Sequence, residues 1–306
     1  FVLEALAAMK KEAGRDFPVM VRMSVDERLG ERGVQTEEGV RMAAMLDAAG
    51  ADGIQVMSGT QERIWNTSCG YFYPDAYAEG LNRPVRDAVN CALIAAGKLG
   101  NPDVAEAVLE RGDADFISLG RPLLVDPFWP KKVLEGRYGE IRRCIGCLNC
   151  FTFASRKDIE PRGVSCTVNP GVLREPEFDM ISPAESRKRI LVVGGGLAGM
   201  EAAAVLAARG HEVELHEAAE ELGGQWIIAS HAPYRKDYRS LVPWLEYRMR
   251  MSGVRVFLNS RVDADRLLRI APGYVVLATG AEPRKLPLSA SRPEVVQGCD
   301  VIMDRV

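Results

Sequence analysis

The sequence predicts an α/β protein in which two parallel sheets are joined by a cysteine-rich segment. Three observations predict it. Residues 1–140 alternate helical and strand patterns in βα units of about 30 residues each. Residues 144–150 read C-I-G-C-L-N-C, and Cys166 follows after fifteen further residues. From Arg189 a short apolar run enters G-G-G-L-A-G and then a helical pattern, the opening of a nucleotide-binding βαβ unit.

In the first region a helix over 1–13 leads to an apolar strand over 17–24. Thr36 reads as the cap of a helix over 37–49, supported by Glu38 and the spacing of Val40, Met42, Ala43 and Leu46, with Gly50 ending it. Strands follow at 53–57, 92–96 and 116–119, with a helix inside 74–89, one over 102–111 capped by Asn101, and one over 127–134. Strands apolar on both faces argue a parallel sheet covered by helices. An open doubly wound sheet and part of an eight-stranded barrel both accommodate that pattern. The loops favour the barrel: Arg22, Ser58-Gly59, Gly97-Lys98 and Gly120-Arg121 stand at C-terminal strand ends, where barrel enzymes place their sites and where phosphate binding favours the last two strands. Glycine lets backbone N–H groups approach a phosphate, and Lys98 and Arg121 supply charge. Arg22, inside an apolar strand, needs an acceptor, either a carboxylate or the electron-rich edge of a flavin. Residues 60–73 form a long loop whose aromatics either line a pocket or pack the loop itself.

The cysteine segment has little periodicity, and Pro161, Gly163, Pro170, Gly171, Pro176 and Pro183 punctuate it. A structural zinc takes two separated thiol pairs or thiols with histidines, and no histidine is near. A disulfide framework needs a small cysteine-dense domain in an oxidising compartment, whereas this chain has seven cysteines in 306 residues. Three thiols crowded together with a distant fourth suit a 4Fe–4S centre, with Cys144, Cys147, Cys150 and Cys166 as ligands.

In the last region Gly194, Gly196 and Gly199 follow a strand at 190–193 and open a helix over 200–208, and Glu217 ends the next strand at 212–216. That is the full dinucleotide fingerprint: Gly194 for the tight turn, Gly196 for the pyrophosphate, Gly199 for helix–strand packing and Glu217 for the ribose hydroxyls. Gly223, Gly224 and Gln225 offer a second glycine approach. A helix over 240–251, a strand over 254–258 and a strand over 273–280 ending in Thr279 and Gly280 complete the pattern.

The composition is that of a soluble globular protein, 47% apolar and 26% charged. A net charge of -3 argues against nucleic acid or an anionic membrane as partner. The most apolar run, 190–208, is broken by glycines and Glu201 and reads as strand–turn–helix rather than a membrane span. Reduced thiols imply the cytoplasm. A small-molecule substrate is the expected partner, and a homo-oligomer is compatible with the sequence. Phe1 and the abrupt ending V-I-M-D-R-V suggest a piece of a longer chain.

Taken together, V-R-M-S at 21–24, A-G-K at 96–98, L-G-R-P-L-L at 119–124, C-I-G-C at 144–147 with C-T-V-N-P at 166–170, V-V-G-G-G-L-A-G at 192–199, E-x-x-x-x-L-G-G-Q at 217–225 and V-L-A-T-G-A-x-P-R at 276–284 resemble the iron–sulfur flavoenzymes of the old yellow enzyme superfamily. These include 2,4-dienoyl-CoA reductase, 2-enoate reductase and trimethylamine dehydrogenase. The resemblance implies the C-terminal half of a (β/α)8 TIM barrel holding FMN over 1–138, a 4Fe–4S segment over 139–187, and part of a Rossmann-like domain holding FAD or ADP over 188–306. It implies Arg22 on the flavin ring; Gly97, Lys98, Gly120 and Arg121 on the FMN phosphate; and Gly194, Gly196, Gly199, Glu217, Gly223, Gly224, Gln225, Thr279 and Gly280 on FAD. Electrons would pass from NAD(P)H through FAD and the cluster to FMN, and then to the C=C bond of an enoate or enoyl-CoA. The alternatives are an amine dehydrogenase, in which Trp65, Tyr71, Phe72 and Tyr73 leave room for a cation cage, and an electron-transfer protein without turnover. Where some relatives carry a histidine after Gly59, this chain has Gln61 and Glu62, the candidates for a catalytic proton donor.

Overall fold

The computed structural model describes residues 1–151, 164–178, 181–284 and 296–305. Pro161 and Gly163 lie outside the described residues. The chain divides into two compact units: residues 1–135 with 146–151, and residues 136–145 with the described residues from 164 onward. The division runs through the cysteine segment, so that Cys147 and Cys150 belong to the first unit and Cys144 and Cys166 to the second.

The first unit alternates helices and strands: α1 (Val2–Ala13), β1 (Met20–Asp26), α2 (Thr36–Ala48), β2 (Gly53–Ser58), α3 (Ile64–Thr67), α4 (Asn82–Arg86), β3 (Ala92–Ala95), α5 (Pro102–Glu110), β4 (Phe116–Ile117), α6 (Arg121–Val125) and α7 (Trp129–Leu134). The strands are parallel and neighbour one another in chain order, β1-β2-β3-β4. A doubly wound sheet reverses its direction of strand addition; this sheet never does, which is the winding of a β/α barrel.

The strands were expected to be buried on both faces, but helices cover only one. Val25, Ile54, Val56 and Leu93 are fully buried there, with Leu6 of α1, Leu46 of α2 and Val85 of α4 in the same cluster. On the other face Arg22 stands in register with Gln55, Ile94 and Phe116, and Met20, Arg22 and Phe116 are exposed. Side-chain alternation puts Arg22 on the face that no helix of this chain covers.

Two capping expectations also change. Thr36 is the first residue of α2 rather than its cap, and its hydroxyl donates to Asp26 Oδ2 at 2.9 Å. Asn101 stands at the N-cap of α5 but makes no side-chain cap bond. Gly39 sets how closely α2 lies on β1, since a Cβ there would collide with the Val25 backbone.

The second unit contains β5 (Arg189–Val193), α8 (Leu197–Ala208), β6 (Glu212–His216), α9 (Gln225–His231), α10 (Leu241–Met251), β7 (Arg255–Phe257), α11 (Ala264–Ile270), β8 (Tyr274–Leu277) and α12 (Gly298–Ile302). Its strands are parallel in the order β7-β6-β5-β8. Strand addition reverses at β5, so a crevice opens beyond the β5–β8 ends, where doubly wound folds bind their ligands. Helix α8 is almost wholly apolar because it lies between the sheet and α10, with Met200, Ala203, Ala204, Leu245 and Met249 buried; its one charge, Glu201, pairs with Arg248 of α10. Among the described residues no helix is long and apolar enough to cross a membrane.

Candidate functional site

In the first unit the predicted residues gather at the C-terminal ends of β1–β4. Ser24 Oγ donates to the Gly59 carbonyl at 2.8 Å, tying the β1 and β2 ends together. Gly97 has φ +109° and Lys98 φ +55°, so the chain turns through the left-handed region directly after β3. A Cβ on Gly97 would come within 2.7 Å of the Tyr77 ring. Gly120 precedes α6, and a Cβ there would meet nothing within 4 Å, so the backbone beside Arg121 faces open space. An N–H, an open approach and a guanidinium fit a phosphate group.

Lys98 completes that turn. Its ammonium turns toward the loop after β2, donating to the Tyr73 carbonyl at 2.5 Å and pairing with Asp75 at 3.6 Å. That loop is internally braced. Tyr77 donates its hydroxyl to the Asn66 carbonyl at 2.5 Å, and Asn66 Nδ2 donates to Tyr73 Oη at 3.1 Å. Its aromatics form a ladder, with ring centroids 5.6 Å apart for Tyr71–Phe72, 5.0 Å for Phe72–Tyr73 and 5.3 Å for Tyr73–Tyr77. These aromatics pack on one another, while Trp65 and Phe72 stay partly exposed. Gln61 and Glu62 are exposed, and Glu62 pairs with Arg32 at 3.0 Å.

The sequence reading did not anticipate Cys69. It is buried, and its sulfur accepts from Arg121 Nη2 at 3.3 Å. Burial pushes its thiol above the ordinary range, against the pull of the neighbouring Arg121 charge. Burial likewise raises the Tyr77 phenol, with Cys69 adding to the effect.

All seven cysteines are thiols rather than disulfides. Among the described residues no three His, Cys, Asp or Glu side chains are gathered as a metal-ligand set, so the cluster assignment stands on spacing and thiol chemistry. Gly146, inside C-I-G-C, has φ +65°, and a Cβ there would press on the Tyr71 backbone nitrogen at 2.8 Å.

In the second unit the glycine turn is built as the fingerprint requires. Gly194 donates to the His216 carbonyl at 2.8 Å, joining the β5 end to β6. Cβ atoms on Gly194 and Gly199 would collide with the Ala278 and Gly194 carbonyls, while one on Gly196 would meet nothing within 4 Å. The first and third glycines therefore serve packing, and the middle one opens the helix start to a ligand, which fits a pyrophosphate. Gly223 donates to the Gly195 carbonyl at 2.8 Å, and Gly224 adopts φ 52°, ψ -131°. Gln225 Nε2 donates to the Ala281 carbonyl. Thr279 is exposed and Gly280 faces open space beyond β8. Glu217 accepts from Gly195 N at 2.5 Å and from Ala219 N at 2.8 Å. Those bonds fix the carboxylate and leave acceptor sites for hydroxyls.

His216, the residue before Glu217, was not singled out by the sequence. It is buried and stacks on Phe257 at 4.6 Å. Its Nδ1 lies 2.8 Å from Ser260 Oγ, which also accepts from Arg266 Nη2 at 2.8 Å. Burial holds its pKa below the ordinary value, and the Arg266 charge adds to that.

Residues 1–140 match the NADH:flavin oxidoreductase / NADH oxidase family, and residues 188–305 match the pyridine nucleotide-disulphide oxidoreductase family. An NADH oxidase of Thermoanaerobacter brockii is 37% identical over 100% of this chain and 47% of its own length. A cinnamate reductase of Clostridium sporogenes is 34% identical over 100% of this chain and 47% of its own. The solved structure of a 2-naphthoyl-CoA reductase in complex with 2-naphthoyl-CoA superposes with a TM-score of 0.90 at 29% identity, over 100% of this chain and 46% of that one. The chain thus spans about half the length of the curated relatives it matches. It belongs to the old yellow enzyme-related flavoenzymes that couple an NADH:flavin oxidoreductase domain to a pyridine nucleotide-disulphide oxidoreductase domain.

Proposed function

We propose that the protein is an NAD(P)H-dependent reductase of activated C=C bonds, acting on an enoate or enoyl-CoA, with FMN at the strand ends of the first unit and FAD at the glycine turn of the second. One observation carries the reading. A single chain combines a glycine–arginine phosphate cradle on a barrel-wound sheet with a dinucleotide turn on a doubly wound one. Similarity over the whole chain to proteins named cinnamate reductase and 2-naphthoyl-CoA reductase supports this substrate class.

Bound flavins supply the hydride and electron transfer. The chain's own residues bind and orient. The Gly120 N–H and the Arg121 guanidinium would hold the FMN phosphate, with the turn at Gly97 beside them. Arg22, exposed on β1, would supply the charge for the electron-rich edge of the flavin ring. Lys98 holds the loop after β2 through Tyr73 and Asp75. Gly196 would admit the FAD pyrophosphate and Glu217 would take ribose hydroxyls, with Gly223, Gly224, Gln225, Thr279 and Gly280 as further candidates for the same cofactor. Cys144, Cys147, Cys150 and Cys166 are assigned as 4Fe–4S ligands on their spacing.

The test uses the intact protein purified without oxygen. NADH should bleach the flavin absorbance, and cinnamate or an enoyl-CoA should restore it. Iron and acid-labile sulfide should each be present at about four per chain. Flavin that NADH leaves oxidised sinks the reductase reading, and bleaching by a tertiary amine instead turns it into an amine dehydrogenase. Protein lacking iron and sulfide removes the cluster.

A further inference from the structure

Cys69 has no part in the function proposed above, yet it touches a residue central to it. The thiol is 1% exposed, at the end of the loop after β2. Its sulfur accepts from Arg121 Nη2 at 3.3 Å, and Lys98 and Tyr77 lie in the same neighbourhood. A guanidinium presents five donors in a rigid fork. Fixing one arm fixes the plane of the whole group and hence the direction of the other donors.

We infer that Cys69 is a positioning residue: by holding one arm of Arg121 it presets the guanidinium plane for two-point capture of the FMN phosphate. This rests on the reading of Gly120–Arg121 as that phosphate site. Thiol chemistry suits the task. A carboxylate at position 69 would orient Arg121 but also neutralise it and compete with the phosphate. Burial keeps Cys69 a neutral thiol, so it orients the arginine and leaves its charge to the ligand. Pre-set geometry raises affinity by lowering the ordering cost of binding.

The experiment separates phosphate capture from general packing. The intact protein is stripped of flavin, and FMN and riboflavin, which lacks the phosphate, are titrated separately by flavin fluorescence quenching. Cys69→Val removes the acceptor and should weaken FMN about tenfold while leaving riboflavin affinity unchanged. Cys69→Ser keeps an acceptor and should stay within about twofold of the parent for both. Cys69→Ala serves as the second acceptor-free variant if the branched side chain overpacks the loop. The role of Cys69 is overturned if the acceptor-free variants weaken FMN and riboflavin equally, or neither, while Arg121→Gln still lowers the FMN-to-riboflavin ratio. If Arg121→Gln leaves that ratio unchanged, the phosphate-site reading fails and the role of Cys69 fails with it.

Discussion

The two sheets are alike in being parallel and in carrying glycines just beyond several strand ends, yet their candidate sites are drawn from the chain differently. In the second unit the turn at 194–199 and the acid at 217 come from one βαβ unit, so the site is nearly contiguous in the chain. In the first unit the candidates Arg22, Gly97-Lys98 and Gly120-Arg121 stand on or just after three different strands, β1, β3 and β4, and only the order of the whole sheet relates them. A contiguous site depends on local backbone geometry, whereas a composite one depends on the whole sheet.

The sharpest test of that contrast is Gly199→Val. Its side chain would enter the Gly194 carbonyl, so α8 cannot close on β5. FAD binding should be lost and the second unit should melt early in a thermal scan, while the first unit's transition is retained. A single shared transition shifted as a whole would show that the units are not separate in stability. Next in size is Leu93→Ala. Leu93 is fully buried at the centre of the first core, and its truncation should cost about 2–5 kcal/mol, read from urea unfolding. FMN affinity should fall with it, because a composite site loosens with its sheet. Unchanged FMN binding would mean that the strand ends hold their geometry locally.

A pH series sharpens the second unit's side of the comparison. His216 titrates below its ordinary 6.5 in the folded state. The unfolded chain therefore binds more protons just below that pH. The contribution of His216 to stability is fully present above about 6.5 and is lost as pH falls through the folded pKa. Denaturation midpoints should drop on that acid side, and His216→Gln should flatten the drop; a profile unchanged by the substitution removes His216 as its source. Smallest of all is Glu62→Ala. An exposed pair with Arg32 contributes about 0–1 kcal/mol, so neither stability nor turnover should move; a large loss of turnover would reinstate Glu62 as a proton donor.

How much could be read from the chain follows the same contrast. The glycine turn, Glu217 and every strand of the second sheet were legible because their signals are local: period, glycine spacing and one acid. The strands of the first sheet were legible too, but not which faces are covered, because an apolar strand looks the same whether a helix or nothing lies over it. Thr36 satisfied the pattern of a cap, but Asp26, ten residues upstream, took its hydroxyl. Cys69 and His216 carried no motif at all. Each matters through a partner far along the chain, Arg121 and Ser260, which spacing does not reveal.

Gly146 has a consequence for how this architecture can change. With no room for a methyl group between it and the main chain of Tyr71, the aromatic loop and the turn at 146–148 are cast as one piece. A graft that lengthens or exchanges residues 60–73 to suit a different substrate must therefore bring its own 146–148 turn. Loop swaps that ignore this linkage should yield misfolded thiol turns rather than new specificities.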